Sequence, residues 1–172
     1  MGMGTHDAEF TDYVSAKARW LRQVAFLLCG DWHRADDLVQ TAVTKLYTNW
    51  SRARRAANLD GYARTTLVNT FLGEQRTRWW RSVVLREPDD SIPAPTHDQD
   101  DRLDLRGALA QLPPGQRAAV VLRYYSDLPV DEVARTLHCS AGNVKSQTAR
   151  GIAALRRLLE PETTTVAEDT SC

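Results

Sequence analysis

The 172-residue sequence has little of what staples, metal sites and membrane spans are made from. It carries only three cysteines, Cys29, Cys139 and Cys172, far apart and without a CxxC pair. An odd, scattered set excludes a disulfide framework and suits a reducing compartment. Cys29 and His33 form half a metal site at most, and no second pair completes it. No metal or other cofactor is therefore expected. No apolar run approaches the length that crosses a bilayer, so no membrane contact of its own is expected. The opening MGMGTHDAEF lacks a basic start and an apolar core, which argues against a signal peptide and for a cytoplasmic protein. A glycine-rich phosphate loop and a Ser/His/Asp set are missing, which speaks against an enzyme. His33, His97 and His138 are isolated from one another in sequence and read as loop surface.

Net charge is also absent, because 22 basic side chains balance 22 acidic ones. The balance is uneven along the chain. Residues 8–86 hold 13 basic and 7 acidic side chains, residues 87–104 hold 1 and 7, and residues 105–160 hold 8 and 4. Two basic blocks flank an acidic strip, a distribution that suits a polyanionic partner.

What is present is helical periodicity, and no stretch alternates like a strand. Glu9–Leu28 places Phe10, Tyr13, Val14, Ala18, Leu21, Ala25 and Leu28 on one stripe. Gly30 and Asp31 break it. A second helix over about Arg34–Trp50 turns Val39, Ala42, Val43, Leu46, Tyr47 and Trp50 inward and Asp37, Gln40, Thr41, Thr44 and Thr48 outward. A third runs from about Leu59 to Trp80 and ends in the basic, aromatic GEQRTRWWR. The segment EPDDSIPAPTHDQDD is rich in proline and acid and too poor in apolar residues to offset the entropy of ordering, so it reads as a linker. Leu103, Leu105, Leu109 and Leu112 then open a second core, followed by a helix over Gln116–Tyr125. The expected fold is all-α, with two small helical domains at 8–86 and 103–160, a flexible linker at 87–102 and a disordered tail at 161–172.

The stretch from Val130 onward carries the chemistry. Val130, Val133, Ala134 and Leu137 make a short amphipathic helix, His138 and Cys139 a turn, and Ser140 an N-cap for a longer helix burying Val144, Thr148, Ile152 and Leu155. This is helix-turn-helix spacing, with the second helix offered to a major groove. Lys145 and Arg150 can neutralise phosphate or fork onto guanine, and Asn143 and Gln147 have the amides that adenine's edge accepts. Ser146 and Ala149 share the outward face, Ala149 being small enough to let the helix approach the bases. Ser140–Asn143 can present backbone N–H groups to a phosphate.

LVQTAVTKLY after Asp36-Asp37 and LPPGQRAAVVLRYYSDLPVDEVARTLHCSAGNVKSQ resemble the extracytoplasmic-function sigma factors of bacterial RNA polymerase, in particular the sigma-E-like kind of actinobacteria. The resemblance covers roughly residues 9–160. It implies that the first domain (region 2) docks on the clamp helices of the polymerase's largest subunit through Asp36, Asp37, Gln40 and Thr41. The simpler reading of Asp36-Asp37 is two acids favoured at a helix start. The resemblance also implies that region 2 melts the −10 element, with Asn69 reading a base, and Arg64, Arg76, Arg78 and Arg81 supply charge that attracts the backbone. Trp79 and Trp80 read either as stacking platforms for bases or as packing at a domain edge. The second domain (region 4) would read the −35 duplex with Ser140, Asn143, Lys145, Ser146, Gln147, Ala149 and Arg150, and meet the flap of the second largest subunit. An anti-sigma factor is a further implied partner, beside promoter DNA and core polymerase. This sequence departs from the family in Gly73-Glu74, where Asp-Arg is common, in Pro129 for a serine cap, and in Gln147 for a frequent arginine. A linker of about 16 residues spans about 50 Å when extended, which with the domain widths covers a promoter spacing of about 58 Å. The competing reading is a helix-turn-helix regulator that works without polymerase.

Overall fold

The computed structural model describes residues 3–85 and 105–160, and among them every regular element is a helix. The expected linker at 87–102, Leu103, His97 and the tail at 161–172 lie outside the described residues.

Three helices form the first bundle: α1 (Met3–Cys29), α2 (Trp32–Thr48) and, after the short α3 (Trp50–Ala53), α4 (Leu59–Val84). Their boundaries follow from side-chain caps. Gly30 takes φ +73°, and the Asp31 side chain accepts a hydrogen bond from the Arg34 backbone N–H at 2.9 Å to start α2. Asn58 does the same for α4, accepting from the Gly61 N–H at 2.8 Å. Leu21, Val24, Leu28, Leu38, Leu46, Leu67 and Phe71 fill the space between them.

Helix α1 begins two turns before Glu9, the start expected from periodicity. The extra turns lack an apolar stripe and are held by polar and aromatic contacts. The Tyr47 hydroxyl donates to Asp7 at 2.9 Å, and Arg54 pairs with Glu9 at 2.8 Å. Tyr47 was expected inside and is instead 45% exposed, its ring edge resting on Phe10 at 5.0 Å. Trp50 takes the buried place, ringed by Phe10 and Tyr13. Ala18, also expected inside, is exposed.

The second group comprises α5 (Leu105–Gln111), α6 (Pro114–Val120), α7 (Val130–Leu137) and α8 (Ala141–Leu159). Pro114 stands in the first turn of α6, where a missing N–H costs nothing. Pro129 opens α7 at φ −66° in place of a side-chain cap. Helix α6 runs on into a single π-helical turn over Val121–Tyr125, which rotates Tyr124 and Tyr125 to the surface. Ala108, Leu109, Leu112, Val120 and Leu155 form a core between α5, α6 and α8. Leu105 was expected in that core and is 54% exposed, because α5 starts there and its inward stripe is Ala108 and Leu109. In α8, Val144 and Leu155 are buried as expected, whereas Thr148 and Ile152 are only half-buried. Gly151 carries the closest approach: a Cβ there would lie 2.7 Å from a Val120 methyl.

The two groups pack on each other. Ala118, Val121, Leu122, Val133 and Val144 are continuous with the buried side chains of α1 and α4. Arg117, 9% exposed, crosses the join. Its guanidinium donates to the backbone carbonyl of Leu28 at the end of α1, to Ala110 at 2.7 Å and to Leu112 at 2.8 Å. Burial depresses its pKa to about 10, which leaves it a cation at neutral pH. Removing this side chain strands three carbonyls and opens a cavity. Arg117→Ala is therefore expected to lower unfolding free energy by about 2–4 kcal/mol, read as the urea midpoint. Arg117→Lys should not restore it, since a point charge cannot reach three acceptors held apart.

Asp60 ties α4 to α1. Burial alone would raise its pKa, but Lys17 Nζ at 2.7 Å and the Tyr13 hydroxyl at 3.0 Å outweigh that and hold the carboxyl below its usual range. A carboxylate with a lower pKa folded than unfolded stabilises the fold above the unfolded value, near about 4, and loses that contribution as pH falls through the folded value. Denaturation midpoints should thus drop more steeply on acidification in the parent chain than in Asp60→Asn.

Candidate nucleic-acid interface

The Ser140 side chain caps α8, accepting from the Asn143 N–H at 3.1 Å. His138 ends α7 in the left-handed region at φ +53°, and the Cys139 N–H returns to the Ala134 carbonyl at 3.0 Å. These two contacts fix the angle between α7 and α8. With Val144, Gly151 and Leu155 turned in, Asn143, Lys145, Ala149 and Arg150 stand exposed and Ser146 half-buried beside them. Gln147 is half-buried and packs over Gly115, so it faces α6 more than solvent. No acid occurs between Ala141 and Leu159, while Lys145, Arg150, Arg156 and Arg157 do, giving the helix a uniformly positive exterior. A groove of about 370 Å³ beside this face is lined by Arg123, Tyr124, Val130, Lys145, Ala149 and Arg156. Arg123, Tyr124 and Arg156 were not among the residues that the sequence pointed to. Regular helical spacing could not have found Tyr124, because the π turn shifts its register.

On α4 the expected −10 residues fall into two sets. Arg64 and Asn69 lie under α7 and its turn. Arg64 is 12% exposed in its side chain and pairs with Glu132 at 3.5 Å, and the Asn69 amide donates to His138 Nε2 at 3.4 Å. About 15 Å further along the axis the second set is open: Arg76 is exposed, Arg78 half-buried, and Trp79 and Trp80 are 63% and 60% exposed. Val83, Val84 and Leu85 extend this exposed apolar run. Of the two readings left open for Trp79 and Trp80, packing at a domain edge is not what these exposures describe.

On α2, Asp37, Gln40 and Thr41 are exposed along one face. The Thr41 and Thr44 hydroxyls donate back to the Asp37 and Gln40 carbonyls at 3.0 and 2.9 Å. Asp36 is held by Arg22, at 2.6 and 3.1 Å to its two oxygens. That hydrogen-bonded guanidinium keeps the Asp36 carboxyl below its ordinary pKa. Arg22 also lies over the Trp32 ring, which stacks on Phe26 at 3.9 Å. The capping reading for Asp36-Asp37 does not hold, because Asp31 caps α2 and both acids sit past its first turn.

Among the described residues no group of three His, Cys, Asp or Glu side chains is placed to hold a metal. None of the described helices is long and apolar enough to cross a membrane. Burial pushes the Cys29 thiol up to about 11, which makes it a core side chain rather than a reactive one.

Models of two family regions match the chain, Sigma-70 region 2 over residues 13–81 and Sigma-70 region 4 over residues 102–155. An RNA polymerase sigma-E factor of Streptomyces avermitilis is 37% identical over 158 residues, 88% of this chain and 86% of that protein. The chain belongs to the sigma-70 family, in its extracytoplasmic-function group. An ECF RNA polymerase sigma factor SigE of Mycolicibacterium smegmatis is 33% identical over 165 residues, 91% of this chain and 64% of that one. The fold of this sigma factor is similar to that of RpoE from Bartonella quintana, solved with the anti-sigma factor NepR, at a TM-score of 0.69 and 25% identity over 90% of this chain and 98% of that one.

The exposed tryptophans of this sigma factor lead to a stability test. Trp79→Ala and Trp80→Ala should each shift unfolding free energy by under about 0.5 kcal/mol, because neither ring fills a core. A loss of several kcal/mol in either variant's thermal melt would return them to the packing role.

Proposed function

We propose that this sigma factor binds core RNA polymerase and directs it to promoters, reading the −35 duplex with α8 and the opened −10 strand with α4. The observation that carries this reading is the pairing, in one chain, of both sigma regions with a helix-turn-helix whose second helix, α8, carries basic side chains and no acid. Lys145 and Arg150 contact base edges or phosphates, Ala149 permits close approach, and Ser140 and Asn143 place the helix start at the backbone. Ser146 adds a hydroxyl to the same face, and Gln147 contributes from its edge. Asn69 and Arg64 read and hold the non-template strand, and Arg76, Arg78, Trp79 and Trp80 offer it charge and stacking surfaces.

Asp37, Gln40 and Thr41 meet the clamp helices of the largest polymerase subunit, where acid and amide groups on one face suit a basic partner. Asp36 supports that face through Arg22 more than it contributes an open carboxylate. Region 4 meets the flap of the second largest subunit, and an anti-sigma factor masks one or both basic blocks. The chain acts in the cytoplasm and carries no catalytic site of its own; chemistry is supplied by the polymerase. The division is proposed as residues 8–86 for region 2 and 103–160 for region 4.

In vitro transcription with bacterial core polymerase tests the assignment. Lys145→Ala and Arg150→Ala should each reduce discrimination between intact and mutated −35 elements by about 1–3 kcal/mol per lost base contact. Asp37→Arg should weaken core binding, measured by co-sedimentation, while leaving the fold intact. Tight binding of the free chain to a palindromic duplex, with no association with core polymerase, would overturn the proposal.

A further inference from the structure

The groove beside α8 has the chemistry of a seat for an acidic, partly apolar peptide. Its lining combines Val130, Ile152 and Ala153 with three cations, Lys145 and Arg156 from α8 and Arg123 from the π turn. Lys145 and Arg156 are exposed, and Arg123 donates to the Leu128 carbonyl. Among the described residues none of the three pairs with a carboxylate. Thr148, in the same lining, has its hydroxyl oxygen buried with no hydrogen-bond partner among the described residues. A buried polar group of that kind calls for an occupant that supplies the missing partner.

The segment that follows α8 carries the complementary groups in a matching order. Glu160 leaves the helix in an extended conformation, at φ −67° and ψ 126°, and Pro161 cannot continue it. Glu162 comes next, then the apolar pair Val166-Ala167 and the acids Glu168-Asp169, with no basic side chain over 161–172. We propose that residues 161–172 fold back along α8 into this groove, as an acidic strap that competes with the −35 duplex. Run in that direction, Glu162 meets Arg156, the apolar pair meets Ile152 and Ala153, and Glu168-Asp169 meet Lys145 and Arg123. The reach suffices: Lys145 and Arg156 lie about 16 Å apart along the helix axis, and residues 161–169 span about 30 Å when extended. The other acidic segment, 87–104, is tied to α4 and α5, whereas the strap is tethered to the groove's own helix, which raises its local concentration there. The competition rests on the proposed role of Lys145 in reading the −35 element; the docking does not. The apparent affinity of the free chain for the duplex is reduced by the fraction of molecules whose groove is open.

The test uses the full-length chain. A nitroxide is attached to Cys172 in a Cys139→Ala background, the remaining Cys29 being buried, and backbone amides are followed by NMR. The amides of Lys145 and Ala149, at the end of the groove away from the tether, should broaden. That broadening should vanish when Glu162→Gln, Glu168→Gln and Asp169→Asn are combined. Without the label, the same triple variant should bind a −35 duplex from a promoter that the holoenzyme transcribes about three- to tenfold more tightly as a free chain, read by fluorescence anisotropy. The gap should narrow as salt screens the acids. Broadening that is absent in the parent, or that survives neutralisation, overturns the docking. A gain in duplex affinity without broadening reports net charge alone and overturns it too. Groove amides that shift on neutralising Asp98, Asp100 and Asp101, and not the strap acids, seat the 87–104 segment there instead and overturn it equally. Broadening with unchanged duplex affinity overturns the competition. The −35 reading is judged separately: it stands if Lys145→Ala lowers −35 discrimination in the holoenzyme and fails if discrimination is unchanged, whichever way the broadening falls.

Discussion

A buried guanidinium that bonds only to backbone carbonyls is the constraint on which the arrangement of this chain depends. Arg117 is the last side chain of the first turn of α6, and it reaches out of its own helical group to the final turn of α1. The unpaired carbonyls at a helix end carry partial negative charge, and a cation there satisfies them and the macrodipole together. Among the described residues no carboxylate pairs with it, so the charge is balanced there by dipoles, and that holds only if all three carbonyls keep their places. Glu132, Tyr125 and Ala110 can meet their partners on the first bundle because Arg117 has already set how far apart the groups stand.

The same logic explains why the sequence showed the elements and not their assembly. Caps are local, and Asp31, Asn58 and Ser140 each announce a helix start within three residues. Apolar stripes are local too, which is why Leu21, Leu28, Leu46, Val144 and Leu155 could be placed in a core without a structure. Where contacts span the chain, periodicity is silent. Arg64 and Glu132 are 68 residues apart, and each alone reads as a solvated charge on a helix. Arg117 sits in a run, GQRAAVVLRYY, whose apolar residues explain the helix without it. The two early turns of α1 were missed for a related reason: they are held by Asp7, Glu9 and His6 contacts to side chains forty or more residues away.

The candidate site shows the same split. The face of α8 was legible because a helix-turn-helix sorts its residues by spacing alone, and the exposures of Lys145, Ala149 and Arg150 agree with that sorting. The groove beside it was not, since a π turn breaks the 3.6-residue rule that any reading of Tyr124 would rest on. For α2 the acidic pair was visible, but the two carboxylates looked equivalent. Arg22, fourteen residues earlier, separates them by engaging one and leaving the other exposed on the α2 face.

Zero net charge acquires a mechanical sense from this geometry. A uniformly basic chain of this size would bind any nucleic acid, at an affinity set by counterion release and indifferent to sequence. Here the acids are placed to compete. Glu132 on α7 covers a cation of α4, and Asp36 occupies Arg22. Each pairing is solvent-accessible on at least one partner, so each is worth little in isolation. Weak pairs beside an apolar seam and one deeply buried guanidinium give a contact surface in which the seam and Arg117, rather than the ion pairs, hold the two helical groups together.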